Sequence, residues 1–199
     1  MAKRLVTKLF LLLAVVFICS GLVLAAKPEF SGEMILTDAK GKVTNGTIYV
    51  QGTEKIRQEI TEGDTVTVTI LRLDKKVSWT LLPDQQYMEV SFPFDPNQLN
   101  SEFEYEMKTL GSETVNGYDC QIIQYTYKER KYGILVQWFS EELGFAVKTQ
   151  TKDAKGKVTS TIEYRNIVEG KQPDELFEIP NGYTKFSIIP KLPLPFPTK

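Results

Sequence analysis

TVTVTI, residues Thr65 to Ile70, alternates strictly: Val66, Val68 and Ile70 fall on one side of an extended chain and three threonines on the other. Successive side chains of a strand point to opposite faces, so period two over β-branched residues predicts a half-buried antiparallel strand. The same period continues outward. Val77, Trp79 and Leu81 share a face, with Ser78 and Thr80 opposite, and Met88, Val90 and Phe92 share a face in YMEVSF. Turn-forming residues separate these runs at 38–41, 51–52, 62–64, 74–75, 83–84, 116–117, 129–131 and 153–156. Further strands are expected near 118–127, 133–139, 145–151 and 157–167. Short alternating runs between regular turn signals predict a meander of about ten strands.

The middle of the chain carries two periods at once. Asp95, Pro96 and Gln98 have the chemistry of a helix start, and Leu99, Phe103, Met107 and Leu110 follow at helical spacing up to Gly111. Glu102 to Met107 alternates as a strand would. The preferred reading is one helical turn over 96–101 and a strand over 102–115, closed by the hairpin turn Asn116-Gly117. A helix to Leu110 stays open. Residues 140–144 and 173–177 are expected to be short helical turns or loops. The end carries Pro190, Pro193, Pro195 and Pro197 and should be extended.

DAKGKVT occurs twice, at 38–44 and 153–159. It is not a phosphate loop, because the glycine that should stand four residues before the Gly-Lys pair is missing and a valine separates Lys from Thr. An Asp, two permissive residues and a Gly instead predict a type I turn with a glycine bulge. Beyond Tyr49 and Tyr164 the match does not extend outward, as a duplication would require, so two hairpins using one turn are preferred and a weak ancestral repeat is the alternative. Two exposed hairpin tips are expected, with Gly41 and Gly156 at positive φ and far from any apolar cavity.

Lys3, Arg4 and Lys8 precede an unbroken apolar run from Leu9 to Ile18, and Val23-Leu24-Ala25 offers a cleavage site before Ala26. This is the pattern of a secretory signal peptide. The alternatives are an uncleaved membrane anchor and a lipidated Cys19. Removing residues 1–25 takes away three of the 24 basic side chains and none of the 25 acidic ones, leaving a net charge of −4. With no block of Lys and Arg, nucleic acid is an unexpected partner. Only Cys120 then remains, so no internal disulfide can form. The absence of histidine excludes His-dependent triads and His metal sites. No metal site and no cofactor are expected.

The order of landmarks resembles the LolA-like superfamily of periplasmic lipoprotein carriers, and is similar to an outer-membrane lipoprotein-sorting-like subfamily of unknown function. The stretches that carry the likeness are FSGEMILTDAKGK; Gly46, Tyr49, Gly52 and Arg57 in NGTIYVQGTEKIRQEI; Asp74, Trp79, Pro83 and Tyr87 in LRLDKKVSWTLLPDQQYMEV; LGSETVNGYDCQIIQY; and PDELFEIPNGY. The resemblance implies a mainly β (α+β) fold: a curved antiparallel sheet forming an incomplete β-barrel, with helices over an apolar concave face. Here only a few short helices can be found. The expected organisation is a signal peptide (1–25), a half-barrel domain (26–187) and a Pro-rich tail (188–199).

The preferred function is a periplasmic, non-catalytic binding protein for an apolar ligand, with a lipid, acyl chain or lipoprotein anchor as partner and a carrier or sorting role as its strongest form. The expected groove residues are Val68, Trp79, Leu81, Met88, Val90, Phe92, Ile122, Val136, Trp138 and Phe145. Most residues of this kind are ordinary core; they become a site only where helices leave them uncovered. The alternatives are an envelope sensor or protein-interaction module, and a carboxylate hydrolase using Glu62 with Asp64, Glu141 with Glu142, or Asp174 with Glu175. A monomer is expected.

Overall fold

The structure, a computed structural model, describes residues 28–92 and 104–186. Among these residues twelve strands form a single curved sheet that does not close into a barrel. They are β1 (Glu29–Asp38), β2 (Val43–Gln51), β3 (Lys55–Glu62), β4 (Thr65–Arg72), β5 (Val77–Leu82), β6 (Gln86–Ser91), β7 (Tyr105–Val115), β8 (Tyr118–Tyr127), β9 (Ile134–Ser140), β10 (Phe145–Lys152), β11 (Val158–Glu169) and β12 (Thr184–Lys185). The spatial order is β12-β6-β5-β4-β3-β2-β1-β11-β10-β9-β8-β7. Two antiparallel meanders, β1–β6 and β7–β11, are thus joined along one seam, β1 against β11. The count exceeds the expected ten in part because β12, two residues parallel to β6, has no alternation to read.

The ambiguous middle resolves in part. Residues 105–115 are strand, and Asn116-Gly117, both at positive φ, turn the chain into β8. The helical turn expected over 96–101 lies outside the described residues, as do the leader and the tail. Helical structure among the described residues consists of three short 3-10 turns, Pro83–Gln85, Arg130–Tyr132 and Asp174–Phe177. The first two sit in strand connections, and the third packs on the sheet, against β3 and β4.

Both DAKGKVT copies form the same turn. Gly41 and Gly156 have φ of +80° and +84°. In each turn the glycine N–H donates to the Asp carbonyl at 2.9 Å. The Asp38 carboxylate accepts from the N–H groups of Lys40 and Lys42, and Asp153 accepts from Lys155 and Lys157, at 2.8 and 2.9 Å in both cases. These bonds hold both carboxyls below the usual carboxylate range. The aspartate therefore fixes the loop, and the lysine side chains are left pointing outward from exposed positions.

Cross-strand register assigns the faces of β1–β6. Phe30, Met34, Ile48, Val50, Ile56 and Leu71 share one face, and all are buried in the main core cluster. Tyr49, Arg57, Ile70, Trp79 and Leu81 share the other. The chain after β11 returns across this second face. Phe177, fully buried, packs with Ile70, Trp79 and Leu81, and Leu176, Ile179 and Tyr183 add to the cluster.

Candidate binding site

Two surfaces are candidates, one on each face of β3–β6. The second face is closed by the segment 172–186, which acts as a strap. Arg57 Nη1 donates to the Leu176 carbonyl at 3.0 Å, and Arg72 Nη1 donates to the Phe177 carbonyl at 3.1 Å. Arg72 also pairs with Asp74 and Glu178, while Lys55 pairs with Asp174 at 3.2 Å and Lys75 with Glu178 at 3.0 Å. The Arg72 guanidinium holds the Asp74 carboxyl below its ordinary value. Burial pushes Glu178 up, but the hydrogen bonds from Lys75 and Arg72 outweigh it and hold it low. Further along, Glu89 accepts from Trp79 Nε1 at 3.0 Å and from Lys185 Nζ at 2.6 Å, and the Phe186 N–H donates to the Tyr87 carbonyl.

The first face differs in kind. Gln58, Thr69, Thr80 and Met88 form one cross-strand row on it, and Ile56, Leu71, Ser78 and Val90 form the next. Leu36, Ile162, Thr149 and Gln137 form a third row across the seam, on the same face. Gln58, Ser78 and Gln137 are only 4%, 2% and 2% exposed. Among the described residues, Gln58 Nε2, Ser78 Oγ and Gln137 Oε1 have no hydrogen-bond partner in the protein. Each orphaned group of this kind costs about 1–3 kcal/mol relative to a paired one. Three on one apolar face are well suited to meet polar atoms of something the face receives.

Register divides the ten expected groove residues. Val68, Trp79 and Leu81 lie together beneath the strap. Met88 and Val90 pair with Thr80 and Ser78, which puts them on the opposite face from Trp79, and Phe92 packs with the main core. Ile122 and Trp138 are a cross-strand pair and belong, with Val136 and Phe145, to that main cluster. Trp138 donates to Glu113 Oε2 at 2.6 Å and lies 4.4 Å from Lys148 Nζ. Thr69, Ser78 and Thr80, placed by their alternation opposite the apolar residues, are buried as well. Gln58, Gln137 and these hydroxyls are the residues that sequence reasoning missed. No local signal marks them, because a buried Thr and an exposed Thr alternate alike. Arg57 was visible as a landmark, but its role as an anchor for residue 176 was not.

The six acids considered for catalysis are all exposed, and the pairs are used structurally in part. Glu62 pairs with Lys42, Glu141 accepts from Gln121, and Asp174 is held below its usual range by hydrogen bonds from Gln51 and Lys55. Among the described residues no group of His, Cys, Asp and Glu side chains could hold a metal ion, and no helix is long and apolar enough to cross a membrane.

A family model described as a domain of unknown function (DUF4412) matches residues 30–144. No curated protein matches the chain. Among solved structures, the chain is similar to MucB in the MucA/MucB complex of Pseudomonas aeruginosa, at 18% identity and TM-score 0.53, over 74% of this chain and 54% of that one. It therefore spans about half of the MucB chain. It is also similar to an uncharacterized conserved protein from Thermus thermophilus, at 10% identity and TM-score 0.59, over 80% and 90% of the two chains. A LolA superfamily protein from Nitrosomonas europaea matches at 13% identity and TM-score 0.40, over 76% and 90%.

Proposed function

The chain belongs to the DUF4412 family of domains of unknown function, and we propose that it is an exported, non-catalytic binding protein of the cell envelope. Its ligand is an acyl chain attached to a polar head, as in a lipid or a lipidated protein. The acyl chain is taken on the face that carries Gln58 and Ser78, along the half-buried Met88 and Val90 of β6. One observation carries this reading: Gln58 Nε2, Ser78 Oγ and Gln137 Oε1 are buried and unpartnered on that same face. The amide donor of Gln58 and the hydroxyl of Ser78, two strands apart, suit the ester or amide linkage at the end of a hydrocarbon chain, and Gln137 Oε1 on β9 offers a separate acceptor on the same face. In this reading residues 1–25 are a cleaved leader and the protein works in the periplasm by equilibrium binding and release. Val68, Trp79 and Leu81 serve as the floor of the strap.

The test is native mass spectrometry of the processed protein purified from the periplasm, followed by titration with a fluorescent fatty-acid amide. Co-purified lipid and saturable binding are expected, with Gln58→Leu weakening binding by about tenfold while leaving the fold intact. A protein that carries no lipid and binds no probe would overturn the reading.

A second reading, docking of an envelope protein, is favoured by β7. This eleven-residue strand pairs only with β8 among the described residues, and Met107 and Leu110 on it are 64% and 47% exposed. An open, partly apolar edge can accept another strand. A partner captured from envelope extracts by the wild-type chain, and lost on Leu110→Lys, would support it over lipid binding.

A further inference from the structure

We propose that the rim of the sheet carrying both DAKGKVT loops docks on an anionic phospholipid surface. The β1–β2, β10–β11 and β8–β9 connections lie side by side at one end of the sheet, because β9, β10, β11, β1 and β2 are consecutive neighbours. They present Lys40, Lys42, Lys155 and Lys157 on the twin loops and Lys128, Arg130 and Lys131 on the β8–β9 connection, all exposed. Three acids share these connections. Asp38 and Asp153 are turned onto their own loop N–H groups, and Glu129 pairs with Lys131. Lys42 pairs with Glu62, and Lys128 with Glu104. No ion pair among the described residues uses Lys40, Lys155, Lys157 or Arg130.

The twin loops stand two strand spacings apart, about 10 Å, which is close to one Debye length at physiological ionic strength. Their charges therefore act together on one surface. The opposite end of the same strands carries Glu141, Glu142 and Glu169, so the charge is polarised along the strands. Apolar side chains stand among the lysines. Val43 is 55% exposed beside the first loop, and Tyr132 is 44% exposed, its ring 4.6 Å from Lys131 Nζ. Basic side chains with an interfacial tyrosine match a headgroup layer, where the amines meet phosphate and the ring sits at the acyl boundary. Nucleic acid would need neither Val43 nor the small, flat span of three hairpin tips. This inference does not depend on what the sheet face binds.

The experiment is co-sedimentation of the processed protein with vesicles of phosphatidylcholine alone and of phosphatidylcholine with about 30% phosphatidylglycerol, enough to give a negative surface potential. Binding only to the anionic vesicles is expected. Lys40→Glu/Lys155→Glu/Lys157→Glu should weaken it about a hundredfold, as three basic residues near such a surface imply. Tyr132→Ala should weaken it by a smaller factor. All four positions are exposed, and near-ultraviolet circular dichroism verifies that the variants remain folded. Equal binding to neutral vesicles, or indifference to the charge reversal, overturns the proposal. Competition by millimolar inorganic phosphate at constant ionic strength also overturns it, in favour of a soluble anion site.

Discussion

Replacing Phe177 by Ala removes the one aromatic ring that the strap buries completely. The ring sits with Ile70, Trp79 and Leu81, and its backbone carbonyl is held by Arg72. Transfer of the ring to water and the void left behind together cost about 3–5 kcal/mol, the usual range for a buried Phe cut to Ala. The loss falls on a segment outside the two meanders, held to the sheet by side chains and by the two-residue β12. The strap should therefore open locally before the sheet unfolds. Hydrogen exchange would show residues 172–186 losing protection while the β1·β11 seam keeps it. Trp79 emission, read in a Trp138→Phe background, should shift to the red as its cover leaves. A strap that keeps its protection, with a stability change below about 1 kcal/mol, would refute the assignment of Phe177 as its anchor.

Three further outcomes follow from named interactions. Asp74 and Glu178 have folded-state pKa values below their unfolded values, so their contribution is present above about pH 4–5 and is lost as pH falls through the folded values. Arg72→Met should flatten this acid limb of the stability profile and cost about 3 kcal/mol near neutrality, read by urea titration across pH. Gly41→Ala and Gly156→Ala should each cost about 1 kcal/mol, and the two costs should agree, because both turns have the same sign of φ and the same hydrogen bonds. Cys120 is buried, and desolvation raises its thiol pKa, so it should react slowly with a disulfide reagent in the native protein and rapidly in urea, as followed by peptide mass.

The alternation of Thr65 to Ile70 was enough to identify the strand, and Asn116-Gly117 was enough to place a hairpin. The two DAKGKVT turns were readable down to the sign of φ, since Asp and Gly at fixed spacing specify backbone geometry locally. Register was not readable. Leu81 pairs with Tyr87, so Met88 faces away from Trp79; the connection Pro83–Gln85, with Asp84 and Gln85 both at positive φ, sets that parity. A slip of one residue exchanges the faces of a strand, and nothing in the strand itself records which parity the turn imposes. The burial of Gln58, Ser78 and Gln137 was equally hidden. Whether a polar side chain is buried depends on strands distant in sequence, and the strap that covers Trp79 arrives about a hundred residues later.

The seam between the two meanders has a consequence for how the chain is made. β1 finds β2 within a few residues, but its other edge must wait for β11, from Phe30 to Glu169. A chain emerging from its N-terminus can complete the meander β1–β6 and still present β1 as an open edge. Closing that edge is a long-range step, costly in loop entropy and late in time. The seam within the finished sheet thus closes only once β11 has been made, and until then β1, paired along both edges in the folded protein, is an edge open to the wrong partner.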